Sequence, residues 1–222
     1  MAPYQSREWH PAAEEYCETI YELAEDDVEV IQARIAERLG VSRPAVSEMI
    51  RRLADEGLVE AGRRIRLTDA GRRLAETVVR RHRLAERFLT DILGLSWAEA
   101  HAEAGKWEHI ISPRVEEAMV RLLEDPTTCP HGNPIPGSAY REQALVPLGE
   151  MPVGRPFVVR RIPEELEFAD GMLEFLEQAS IIPGSRGRLA SRSPDGTATV
   201  EVGDTTVGIG EFASARILVA PA

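Results

Sequence analysis

Ile31-Gln32-Ala33-Arg34-Ile35-Ala36-Glu37-Arg38-Leu39-Gly40-Val41-Ser42-Arg43-Pro44-Ala45-Val46-Ser47 is the stretch on which the fold turns. Ile31, Ile35 and Leu39 recur every four residues, one stripe of a helix, and Gly40 suits the left-handed residue that closes it. Ser42 then caps a second helix whose first turn tolerates Pro44. That helix turns Val46, Met49, Ile50 and Leu53 inward and ends at Gly57. Two helices across a short glycine-containing turn, the second opening on small polar residues, form a helix-turn-helix. Next, residues 58–60 and 65–68 alternate as two strands about an Ala61-Gly62-Arg63-Arg64 turn, which adds a basic wing.

Outward from this unit, residues 12–24 read as a helix with Cys17, Ile20, Tyr21 and Leu23 on one side and carboxylates at Glu14, Glu15, Glu18 and Glu22. Thr68 caps a long helix to about Leu93. Ser96-Trp97-Ala98-Glu99 is a capping box, and Ser112-Pro113 opens a further helix that runs to about Leu123. Four prolines and two glycines exclude helix from residues 124–137, which read as a loop. Beyond it, residues 144–146, 157–159, 187–189, 197–202 and 216–219 read as short strands, with one helix over residues 163–179. The expected fold is mainly α with a small β domain. Its parts are a winged helix-turn-helix (1–73), a helical domain (74–143) and a small β-barrel-like domain (144–222).

The 222 residues carry a formal charge of −11, yet fourteen arginines face eight acids between Gln32 and Thr90. A basic DNA-sized segment therefore sits inside an acidic chain, and binding to phosphates follows the local field. Lys106 is the one lysine, so the arginines also reflect composition. No apolar run approaches the roughly 18 residues a membrane span requires, and no secretory leader is legible. Two cysteines, Cys17 and Cys129, are too few for a disulfide framework, so a cytoplasmic setting is expected. Nucleophile-elbow, Walker and H-E-x-x-H signatures are absent, which argues against an enzyme.

The chemistry-bearing residues lie in two helices. His82 and Glu86, four apart, share a helix face and could share a metal ion. His101 lies two turns before Glu108 and His109. Glu15 and Glu18 add carboxylates one turn apart in the first helix. Imidazole and carboxylate together suit Mn, Fe, Co, Ni or Zn. A solvated polar face explains the same spacing. Cys17 reads as core, and His131, beside Cys129 in the proline loop, as loop-exposed. His10 reads as a polar residue ahead of the first helix.

Several motifs in order resemble the diphtheria-toxin-repressor family of metal-dependent transcriptional regulators. They are Ile35-Ala36-Glu37-Arg38-Leu39, Ser42-Arg43-Pro44-Ala45-Val46-Ser47, Leu67-Thr68-x-x-Gly71 and Arg81-His82-Arg83-Leu84-Ala85-Glu86-Arg87. His101-Ala102-Glu103-Ala104-x-x-Trp107-Glu108-His109 and Gly132-Asn133-Pro134-Ile135-Pro136 complete the set, which covers residues 12–137. The C-terminal part matches more loosely, as the SH3-like domain of the longer members. The resemblance implies that the helical domain serves metal binding and dimerisation. It also implies an ancillary metal site from His82, Glu86 and His101, joined by Glu164 and Glu167, where Glu167 replaces the family's amide. The regulatory site is implied to draw on Glu108 and His109 with Glu15 and Glu18, and on the Gly105 carbonyl. Iron-type members carry a methionine and a cysteine where this chain has Glu15 and Gly105. Hard oxygen in place of sulfur favours Mn(II), with Fe(II) next and Co(II), Ni(II) or Zn(II) as substitutes.

The same resemblance makes Ser42 and Pro44 base contacts, with Arg43 and Ser47 beside them at the leading end of the reading helix. Glu48 stands where iron-type members have glutamine. Arg51, Arg52, Arg63 and Arg64 read as phosphate contacts. The chain is thus expected to be a metal-activated repressor of metal-uptake genes, binding operator DNA as a homodimer. A winged-helix regulator with a non-metal effector and a metal-storage or hydrolytic module are the competing readings.

Overall fold

The structure is a computed structural model and is described for residues 11–222; His10 lies outside them. It contains α1 (Pro11–Glu25), α2 (Gln32–Leu39), α3 (Arg43–Asp55), β1 (Val59–Glu60), β2 (Arg66–Leu67) and α4 (Asp69–Asp91). Helices α5 (Trp97–Trp107) and α6 (Pro113–Leu122) follow, and then a long loop. The C-terminal part holds β3 (Val146–Pro147), β4 (Pro156–Arg161), α7 (Glu164–Glu167), α8 (Met172–Gln178), β5 (Arg186–Arg192), β6 (Ala198–Val202), β7 (Thr205–Ile209), α9 (Glu211–Ser214) and β8 (Leu218–Pro221).

Helices α2 and α3 form the helix-turn-helix, and the antiparallel pair β1 and β2 forms its wing. The caps fall where the sequence places them. Ser42 Oγ accepts from the Ala45 amide, Thr68 Oγ1 from the Gly71 amide, and Ser96 with Glu99 makes the full capping box. Gly40 closes α2 at φ 63°. The core beneath this unit joins Cys17, Ile20 and Leu23 of α1 to Ile35, Val46, Ile50, Leu53 and Leu74. Burial raises the Cys17 thiol pKa to about 12, with Glu56 and Glu14 adding to it, so Cys17 is an inert core residue.

Strands β3 to β8 make one six-stranded antiparallel sheet in the order β3-β8-β4-β5-β6-β7. The β domain differs from the sequence reading in several places, the short helix α9 among them. Residues 163–179 form two short helices, α7 and α8, because Gly171 at φ 71° breaks the run. Strand β7 was not expected, although Gly203-Asp204 is a two-residue hairpin loop joining it to β6. Its Thr205-Thr206-Val207-Gly208-Ile209 alternates too weakly to declare itself.

Three interlocks hold the β domain to the helices. Trp97 of α5 is buried in the β domain's own core with Phe157, Leu166 and Leu176. Arg161 at the end of β4 reaches Glu25 (3.1 Å) and Asp26 (2.7 Å) at the end of α1. Arg83 of α4, fully buried, binds Glu25 at 2.6 Å, Glu164 at 2.9 Å and the Pro134 carbonyl. The proline loop crosses between these parts, and Gly132 lets it do so. Its φ is 89°, and a Cβ there would lie 2.1 Å from the Arg160 carbonyl oxygen. Gly132→Ala is therefore expected to destabilise the protein by on the order of 2–3 kcal/mol. A melting temperature equal to wild type would contradict that close approach.

Candidate metal centre

Helix α4 carries His82 and Glu86 on one buried face, and α5 crosses it with His101. His101 Nδ1 lies 2.9 Å from Glu86 Oε1, and His82 Nε2 lies 3.2 Å from the same oxygen. Helix α7 brings Glu164 and Glu167 from the β domain, with Glu167 Oε2 at 3.2 Å from His101 Nδ1. All five residues named for this site by resemblance therefore meet.

Two further donors join them. His131 is fully buried, not exposed on its loop, and its Nδ1 lies 2.8 Å from Glu167 Oε2 and 3.5 Å from Glu86 Oε1. Cys129 stands with them, its sulfur within 4.8 Å of ligand atoms of Glu86 and His131. A tight turn produces this: the Cys129 amide donates to the Asn133 carbonyl, and the Gly132 amide to the Cys129 carbonyl. The Ile162 amide then pins the His131 carbonyl, and the Trp97 ring stands edge-on to the imidazole at 4.7 Å. Cys-Pro-His does offer a usable pair, because residues two apart in a turn can face one point.

At the position expected to be regulatory, Glu108 and His109 follow one another at the end of α5 and face α1. Glu108 Oε2 lies 2.5 Å from His82 Nδ1, and Glu108 Oε1 lies 3.2 Å from His109 Nε2. Glu18 is buried, and its ligand atom lies within 4.8 Å of those of His82 and Glu108. The carboxylate against His109 is Glu14, at 2.7 Å, whereas Glu15 is exposed to solvent. Residues 14 and 15 point about 100° apart, so the rotation of α1 against α5 decides which of them meets His109. Gly105 is exposed on α5, with nothing within 4 Å of where a Cβ would stand. Its carbonyl is free of the next amide in line, because Ile110 and Ile111 both turn back to the Trp107 carbonyl and, among the described residues, the His109 amide makes no backbone bond to it.

Acids and imidazoles thus alternate from Glu14 through His109, Glu108, His82, Glu86 and His101 to Glu167 and His131. Burial pushes the Glu18 carboxyl well above its usual range, with Glu108 and Glu22 adding to the rise. Burial works against the His82 imidazolium, but Glu86 and Glu108 override it and hold its pKa well above normal. Burial likewise opposes charge on His101, and Glu167 with Glu86 still raises it to about 10. His131 is raised in the same way by Glu167 and Glu86. For Cys129, burial lifts the thiol to about 11.

Among the described residues, several buried atoms here have no hydrogen-bond partner: Glu18 Oε1, Glu86 Oε2, Glu164 Oε2, Glu167 Oε2 and both His131 nitrogens. His131 Nδ1 and Glu167 Oε2 are close without hydrogen-bond geometry. Unpaired buried acceptors are costly, and a cation among them would offset that cost. The donor set fits a first-row divalent metal.

The residues expected from the sequence to read DNA are all on the surface. Ser42, Arg43, Pro44, Ser47, Glu48, Arg51 and Arg52 line the exposed side of α3, and Arg63 and Arg64 are exposed in the wing. Arg52 pairs with Glu56 at 2.9 Å and Arg64 with Glu29 at 2.7 Å. Such exposed pairs contribute little to stability.

Known proteins supply the frame for this arrangement. The family model for the iron dependent repressor N-terminal DNA binding domain matches residues 9–64. That for the iron dependent repressor metal binding and dimerisation domain matches residues 68–137, and that for the FeoA domain residues 146–221. The iron-dependent repressor IdeR of Mycobacterium tuberculosis is 42% identical over 202 residues, covering 85% of this chain and 87% of that protein. The diphtheria toxin repressor of Corynebacterium diphtheriae is 50% identical over 126 residues, 56% of each chain. Among solved structures, a manganese-dependent transcriptional repressor in complex with manganese superposes with a TM-score of 0.86 at 35% identity, over 95% of this chain and 100% of that one. ScaR with bound Zn2+ gives 0.78 at 28% identity, over 96% and 100%. With a DNA-reading winged helix, a donor-lined helical domain and a FeoA-type sheet in this order, the chain belongs to the iron-dependent repressor family of metal-dependent transcriptional regulators.

Proposed function

We propose that this protein is a metal-activated repressor that binds operator DNA as a homodimer, with Mn(II) as its preferred ion and Fe(II) next. The observation that carries the reading is the meeting of Glu14 and Glu18, from the helix beside the DNA reader, with Glu108 and His109 of the helical domain. A bound dication supplies positive charge and coordinate bonds to all of these donors at once. Without it, Glu18 and Glu108 are two acids in a buried space and favour separation of the helices that carry them. Drawn together, they hold α1 against α5 and thereby set where α3 points. The coupling acts through differential affinity for the DNA-ready arrangement.

The proposed ligands of the regulatory site are Glu14, Glu18, the Gly105 carbonyl, Glu108 and His109, with Glu15 adding negative field beside His109. Oxygen and imidazole without sulfur support the preference for Mn(II). Exposed Ile92, Leu93, Ile110, Val115 and Leu122 give the helical domain an apolar surface suited to a second copy of the chain. A two-fold dimer would present two α3 helices to successive major grooves. Among the described residues no helix is long and apolar enough to cross a membrane.

The test is a gel-shift titration on the DNA upstream of the protein's own gene, with EDTA, Mn(II), Fe(II) and Zn(II) in separate lanes. Retardation in the metal lanes and none in EDTA is expected. Retardation indifferent to EDTA would favour a non-metal effector, and metal uptake without DNA affinity a storage role. Selectivity has its own check. Gly105→Cys introduces sulfur into open space, and combined with Glu14→Met it is expected to move the Mn(II)/Fe(II) affinity ratio about tenfold toward Fe(II). An unchanged ratio would remove the hardness argument.

A further inference from the structure

One aromatic ring touches all three parts of the chain. Phe168 caps the C-terminal end of α7 in the β domain and is 49% exposed. It belongs to none of the three hydrophobic cores. The Arg38 guanidinium of α2 lies over its face, 4.2 Å from the ring centre. The His101 imidazole of α5 stands edge-on to it at 5.2 Å. Through Phe168 the β domain touches the helix-turn-helix itself, a contact separate from those made by Trp97, Arg161 and Arg83.

Arg38 is an odd arginine for a DNA-binding unit. Arg34, one turn earlier, points to solvent with Glu37 beside it at 2.9 Å. The Arg38 side chain is only 7% exposed, so it cannot reach a phosphate. Glu22 of α1, also buried, lies 3.5 Å from Arg38 Nη1. Neither terminal nitrogen of Arg38 makes a hydrogen bond among the described residues. A guanidinium held inside without hydrogen bonds is costly. The negative face of a phenyl ring offsets part of that cost, and more so away from water. The pair therefore favours one seating of α7 against α2. Arg38 sits in the last turn of α2, four residues ahead of the Ser42 cap that opens α3. Ile35 of α2 shares one core with Val46 and Ile50 of α3, so a placement imposed on α2 passes to α3.

We propose that Phe168 and Arg38 are positioning residues for operator binding: the ring, seated against His101, holds the Arg38 guanidinium and so fixes α2 and the reading helix relative to the β domain. The inference rests on the reading of a metal-activated operator binder. It adds a second tie on the reader, through the β domain, to the one that α1 makes with α5. Neither side chain touches DNA. Their contribution falls in the metal-loaded arrangement, where all three parts are docked, and is lost where α1 has left α5.

Fluorescence anisotropy of the full-length protein on labelled DNA from upstream of its own gene, with Mn(II) and with EDTA, tests this beside metal content per chain. Phe168→Leu keeps an apolar side chain but loses the π face, and it is expected to weaken Mn(II)-dependent binding about fivefold. Phe168→Trp, which restores an aromatic face, is expected to recover it. In an Arg38→Met background, Phe168→Leu is expected to cost nothing further, because the two side chains act as one pair. Metal content and binding in EDTA are expected to be the same for Phe168→Leu and the unmodified protein. Full affinity of Phe168→Leu, losses that add to those of Arg38→Met, or a loss accompanied by missing metal would overturn the positioning role and leave the repressor reading standing. No metal-dependent binding by the unmodified protein would overturn both. If Arg38→Met fails to fold, Phe168→Leu against Phe168→Trp decides the matter, since Phe168 lies outside all three cores.

Discussion

Glu108→Gln is expected to collapse the difference in operator affinity between Mn(II)-loaded and EDTA-treated protein, on the order of a hundredfold loss of coupling. Glu108 uses both of its oxygens, one 2.5 Å from His82 Nδ1 and the other 3.2 Å from the regulatory donor His109 Nε2, and it stands beside buried Glu18. The amide keeps the shape but removes the charge that a dication would meet. It also relieves the repulsion with Glu18, so the EDTA-treated variant should bind DNA no worse than EDTA-treated wild type. Fluorescence anisotropy on labelled operator DNA, with and without Mn(II), measures both affinities. A variant that retains the full metal response would show that the donors joining α1 to α5 are not the switch.

Arg83→Met is expected to produce the largest loss of stability. The guanidinium has no solvent exposure and satisfies Glu25, Glu164 and the Pro134 carbonyl together. Burial opposes its charge, yet Glu164 and Glu25 raise its pKa further, so it stays a cation. Removing one member of a buried ion cluster leaves the others uncompensated, at a cost of about 3–5 kcal/mol. For a chain of this size that lowers the melting temperature by about 10 °C. Arg83→Lys should recover only part of it, since an ammonium cannot fork to two carboxylates. Scanning calorimetry gives the answer, and a shift of a degree or less would mean the cluster relaxes at no cost.

Local physics made much of the architecture legible. Ser42, Thr68 and Ser96 cap helices because a side-chain oxygen three residues ahead of an unpaired amide is a short-range fact. The four-residue spacing of His82 and Glu86 likewise placed them on one face. What failed depended on contacts distant in sequence. His131 looks exposed in a proline-rich loop until Gly132 packs that loop on Arg160 and the Ile162 amide seizes its carbonyl. Cys129 follows it inward. Glu14 rather than Glu15 meets His109 because of how α1 is rotated against α5, and no single helix encodes that rotation. The break at Gly171 was marked only by a glycine inside an otherwise helical pattern. His82, assigned by resemblance to the ancillary site, turns out to face Glu108 with one ring nitrogen and Glu86 with the other.

The lodging of Trp97 has a consequence for anyone shortening this protein. Its indole belongs to α5 by sequence and to the sheet's interior by position, while Arg161 ties down the acidic tip of α1. A version ending at the proline-rich crossing would bare a large aromatic ring on one helix and strand two carboxylates on another. Such a fragment would need both blemishes repaired before it could stand alone, so the three modules are better regarded as a single casting than as beads on a string.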